Sequence, residues 1–131
     1  MNSGPAAAKI AREAARGQGT YFTALSTEMC WDAVALCQGR DRGRGVEITD
    51  NPVLGDSDVR NIPEGGSIGF FDNGTLVHEM ISVGGGEACG TKNATIGYGS
   101  PIGWELLDLR AGWNSGSSYG PRRLLVRYRA I

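Results

Sequence analysis

The feature that most constrains this chain is the period-two alternation between residues 67 and 91, together with the turns that cut it. Residues 67–71 read as a strand, and Asp72, Asn73 and Gly74 as a hairpin turn. Residues 76–83 read as the returning strand. Gly84, Gly85 and Gly86 make a second turn, and residues 87–91 a third strand. Reversals this tight permit only antiparallel neighbours, because a parallel pair needs a long crossover. At the end of the sequence Leu124, Val126, Tyr128 and Ala130 share one face of a further strand, with the opposite side half-exposed.

Upstream the pattern is helical. Residues 5–16 are helix formers with Pro5 at the start and Gly17 after the end. The apolar stripe is alanine apart from Ile10, so this helix is expected to bury little. Residues 1–19 are read as a docking or linker segment ahead of a domain over 20–131. A second helix over 29–37 is apolar around nearly its whole circumference, which requires burial. Ser26 or Thr27 is its expected N-cap and Gly39 its stop. Residues 39–45 form a charged surface loop, residues 56–60 a short helical turn, and residues 101–109 a strand or short helix. Helices followed by an antiparallel sheet make the fold class α+β.

Composition narrows the function. The 131 residues suit one compact domain, and the 21 glycines fall as punctuation between apolar runs. A net charge of −1 lacks the basic excess of nucleic-acid binders, and the arginine clusters near each end read as solvated faces. With no run of 18 apolar residues, no membrane span is expected. The three cysteines match no zinc spacing and form no full disulfide framework, so three reduced thiols, no metal and no cofactor are expected, with one bridge and one free thiol as the alternative.

The chain has a single histidine, His78, so any chemistry that needs an imidazole must use it. Alternation puts Leu76, His78, Met80 and Ser82 on one face of its strand, and Val77, Glu79, Ile81 and Val83 on the other. Cys30 lies at the start of the second helix, where unpaired N–H groups and the helix dipole favour a thiolate. Cys37 and Cys89 lack such a setting and read as small core residues. A histidine satisfied in a half-buried strand and a cysteine packed in a helix are the plain alternatives. A thiolate and an imidazole need a third group to hold the ring, and Asn93 is the first choice, with Asp72 and Glu87 behind it. Glu79 points away from the ring. Trp31 is expected in the core, while Trp104 and Trp113 suit either core or cleft.

Cys30 followed by Trp31 at a helix start resembles the nucleophile motif of papain-like cysteine peptidases. Residues 62–70 and 77–86 are similar to compact bacterial relatives of that superfamily, the peptidoglycan amidases among them, in which a Pro-x-Gly strand precedes a His strand that ends in a glycine turn. The similarity spans residues 21–93. It implies a papain-like α+β fold, with a buried helix carrying the nucleophile on a small antiparallel sheet. It implies a Cys30–His78–Asn93 site and an oxyanion hole using the Cys30 backbone N–H with Tyr21 or Thr27. The glutamine that papain-like enzymes carry six positions before the cysteine is Ala24 here. The implied activity is cleavage of a protein substrate by a cysteine protease, as in toxin domains of secreted bacterial effectors. Such a domain would act in a recipient's cytoplasm and be plugged by an immunity protein. A peptidoglycan amidase, a glutamine deamidase and a non-enzymatic binding module are the alternatives.

Overall fold

The computed structural model describes residues 1–17, 28–43, 53–54, 56–91, 104–110 and 125–131. In chain order they form α1 (Gly4–Ala15), α2 (Cys30–Gln38), β1 (Val53–Leu54), a 3-10 helix (Asp56–Asn61), β2 (Ser67–Asp72), β3 (Thr75–Gly84), β4 (Glu87–Thr91), β5 (Trp104–Asp108) and β6 (Leu125–Arg129). The strands pair antiparallel in the order β1-β6-β2-β3-β4-β5, so the fold is α+β.

The β2–β3 hairpin closes where Asn73 and Gly74 both take positive φ, 50° and 83°, a twist that matches the flanking strands. Phe70 faces His78 but Phe71 faces Leu76, which leaves Val77 as the extra residue of a β-bulge. Strict alternation sets Val77 on the side of Glu79. The bulge turns it to the other side, against the cluster of Phe70 and Met80.

The sheet separates two apolar clusters. One holds α1 and α2 against Ile81, Val83, Cys89 and Trp104. The other contains Val59, Ile62, Ile68, Phe70, Met80, Leu107 and Val126. The final strand is not an appendage. β6 lies between β1 and β2, with Val126 opposite Phe70.

Helix α1 starts at a Ser3 cap, whose Oγ accepts the Ala6 N–H at 3.2 Å. Ala7, Ala8, Ala11 and Ala14 are fully buried in the helix-side cluster. The alanine stripe therefore belongs to the core, because single-methyl side chains let the helix backbone come close to its neighbours. The Trp104 indole donates to the Ala11 carbonyl at 2.9 Å, and the Arg12 guanidinium to the Val83 carbonyl. The boundary expected after residue 19 lies outside the described residues. At the far end of α2, buried Gln38 donates to the Gly65 carbonyl at 2.8 Å and to Ser67 Oγ at 2.9 Å. Gly39 ends that helix in the left-handed region, φ 71°.

One junction depends on glycine twice over. A Cβ on Gly65 would lie 2.6 Å from the Gly4 Cα, and Gly65 itself has φ +81°. Gly85 has φ +64° but no atom within 4 Å of an added Cβ. Gly65→Ala is expected to cost about 2–4 kcal/mol, and Gly85→Ala about 1–2 kcal/mol. Urea unfolding of the two variants measures the difference, and equal losses would remove the close contact as its cause.

Candidate active site

Helix α2 opens at Cys30 with Met29 as its N-cap, and Met29 makes no side-chain cap hydrogen bond. The cap is thus neither Ser26 nor Thr27. Being the first helical residue, Cys30 has the unpaired N–H groups of its own residue and of Trp31 beside its sulfur. Both favour the thiolate, and so does the backbone N–H of Glu79. Burial outweighs all three and pushes the Cys30 thiol up to about 11. The helix start acts in the expected direction, but the group as a whole shifts the other way.

The Glu79 contact locates the sulfur in the sheet. The Ser82 N–H donates to the Gly66 carbonyl, and the Ser82 carbonyl accepts from the Gly65 N–H, each at 2.8 Å. Even-numbered peptide groups of β3 therefore point towards β2, and odd-numbered ones, Glu79 included, point towards β4. The β3–β4 register runs Gly84↔Glu87, Ser82↔Ala88, Ile81↔Cys89 and closes there. Continued, it would set Thr91 opposite Glu79. Instead the Glu79 N–H takes the Cys30 sulfur, and the Thr91 carbonyl takes the His78 ring N–H. Thiol and imidazole each occupy half of what would be one ladder rung, where β3 and β4 part.

They reach that split from different sides. His78 is 1% exposed and stacks on Phe70, its cross-strand partner, with ring centroids 5.9 Å apart. Its side chain leaves β3 on the face of Met80, whereas Glu79 leaves on the face covered by α2. Cys30 is on the Glu79 side. Burial pushes His78 down to about 4, with the Thr91 carbonyl opposing that shift. At neutral pH the thiol and the imidazole are both uncharged.

Compared with protein-family models, curated proteins and solved structures, the chain matches none.

Asn93, Tyr21 and Thr27 lie outside the described residues, as does Trp113. Among the other candidates to orient the ring, Glu87 stands at the far end of β4, beside Gly84. Asp72 closes the hairpin opposite Thr75. Among the described residues, the Thr91 carbonyl is a group that meets the imidazole, and a backbone group has no side-chain signature to find it by. Glu79 was legible only as an acid within the apolar stripe of Ile81 and Val83. It is fully buried, and burial pushes its carboxyl up to about 9, with Arg40 opposing and Asp32 adding to the shift. Cys37 and Cys89 are buried free thiols in the helix-side cluster, each raised to about 12 by burial. Trp31 is half-buried rather than in the core, and Trp104 is buried. Among the described residues no cluster of three or more His, Cys, Asp or Glu could hold a metal ion, and no helix is long and apolar enough to cross a membrane.

Proposed function

We propose that this chain is a cysteine-dependent hydrolase that cleaves an amide bond in a protein substrate, with Cys30 as nucleophile and His78 as its general base. The observation that supports the reading is the place of the Cys30 sulfur at the start of α2 with the Glu79 N–H beside it, while the imidazole meets the Thr91 carbonyl on the other face of the sheet. Three backbone N–H groups near the thiol oppose the effect of burial and offer donors to charge that develops there during attack. The likeness of residues 21–93 to papain-like peptidases agrees with that chemistry and extends the proposal to a toxin domain whose cleft an immunity protein would cover.

In the proposed cycle His78 accepts the Cys30 proton as the sulfur attacks the substrate carbonyl carbon. The carbonyl π pair moves onto oxygen, and the Cys30 backbone N–H donates to that oxyanion. The oxyanion then collapses, the carbon–nitrogen bond breaks, and the imidazolium gives its proton to the leaving amine. Water, deprotonated by His78, resolves the thioester and regenerates the thiol. Because the resting pair is neutral, proton transfer accompanies attack and no ion pair precedes it.

The test incubates wild type and Cys30→Ala with a bacterial lysate and, separately, with purified peptidoglycan. New protein fragments from wild type alone are expected. Release of muropeptides without protein fragments would replace the protease reading by the amidase one. Equal behaviour of both proteins in both assays would remove the enzyme.

A further inference from the structure

The carboxyl group of Glu79 has no role in the cycle above, yet its position is unusual. It is 0% exposed, and among the described residues neither of its oxygens has a hydrogen-bond partner. A buried acid normally finds partners, and one without them marks a strained or a functional position. The charged and titratable groups that face it are Cys30 and Asp32 of α2 and Arg40 just beyond that helix. Opposite it on β2 is Gly69, which has no side chain to fill the space or satisfy the acid. The Glu79 backbone N–H meets the Cys30 sulfur, and its carboxyl interacts with the same sulfur electrostatically.

We propose that Glu79, as a neutral acid, is the side-chain donor of the oxyanion hole and gives its O–H as a hydrogen bond to the oxygen of the tetrahedral intermediate on Cys30. The inference rests on the reading of Cys30 as nucleophile. Among the described residues the resting donor has nothing to bond, and attack creates its acceptor. The step leaves the proton on Glu79, because its task is to share that proton with an oxygen that has gained an electron pair, while His78 carries the transferred one. A carboxylic acid kept neutral by a dry setting is a strong donor to an oxyanion, since the setting that disfavours its own ionisation also strengthens the bond it makes. Burial favours the required state, because the group is pushed up to about 9 and remains protonated at neutral pH.

The experiment uses the full chain and p-nitrophenyl acetate as a generic acyl donor. It reads acetylation of Cys30 by intact mass and the burst of p-nitrophenolate, with uncatalysed hydrolysis subtracted. Glu79→Leu is expected to slow acetylation by roughly 10²–10³-fold with little change in KM. Glu79→Gln, which keeps an N–H donor and cannot ionise, is expected to restore the rate to within about tenfold of wild type. The wild-type rate should bend over as the pH passes about 9, and the Glu79→Gln rate should keep climbing. Wild-type speed in Glu79→Leu, or a Glu79→Gln variant as slow as Glu79→Leu, overturns the proposal while leaving Cys30 as nucleophile. If Glu79→Leu does not fold, the pH profile of Glu79→Gln decides, and a profile still bending near pH 9 counts against the donor. Folded wild type that never acetylates at Cys30 overturns the parent reading and this inference with it.

Discussion

Under the proposed cycle, His78→Ala is expected to slow amide cleavage by Cys30 by roughly 10²–10⁴-fold, the usual contribution of a positioned base. The chain contains no second imidazole to substitute, so the loss is not shared with another residue. The same variant should leave alkylation of Cys30 by iodoacetamide nearly unchanged. That reaction depends on the thiolate fraction, and the sulfur is raised to about 11 by burial without an imidazolium beside it. Amide turnover and alkylation therefore respond differently. A dyad already ionised in the resting state would lose both together. Unchanged amide turnover in His78→Ala would dismiss the base.

The second large effect is on stability against pH, and it comes from two neighbouring residues. Glu79 has a folded value of about 9 against 4.5 in an ordinary setting. Its contribution is complete below pH 4.5 and is lost as the pH rises towards 9, because the unfolded chain ionises the acid first. His78 runs the other way, from 6.5 down to about 4. Its contribution is complete above 6.5 and is lost as the pH falls towards 4, because the unfolded chain takes the proton first. The full swings are on the order of 6 kcal/mol for Glu79 and 3 kcal/mol for His78. Between about pH 4.5 and 6.5 the two slopes cancel and stability is flat. Above that window the His78 slope is gone and the Glu79 slope dominates, so unfolding free energy is expected to be about 3 kcal/mol lower near pH 8.5 than near pH 6. Urea titrations at those two pH values measure it. Glu79→Gln should remove the alkaline loss, and a wild-type curve flat to pH 9 would place the Glu79 carboxyl in water.

What could be read from the sequence was what neighbouring residues decide. Asp72, Asn73 and Gly74 set their own turn, Gly84 to Gly86 set the next, and β4 runs over 87–91 as the alternation requires. Gly39 stops α2 where a left-handed residue is needed. What distant residues decide was hidden. The α1 alanines are core because Trp104 and Val83 come to them, and period alone says nothing of that approach. One added residue at Val77 reverses which face it packs on. The Cys30 thiol rises instead of falling because desolvation depends on the strands laid over it, whereas the helix-start effect is local.

The placement of β6 has a consequence for how the molecule is made. Phe70 finds its partner Val126 only after the whole stretch between them has been synthesised. Until then β2 has one open edge, with Phe70 and Ile68 on its surface, and β1 has no strand partner among the described residues. Such pairing between remote segments pays loop closure before it gains contacts, so the sheet forms late and slowly. During that interval the β2–β3 hairpin is a sticky, half-finished surface, and self-association of the nascent chain competes most strongly with folding at that stage.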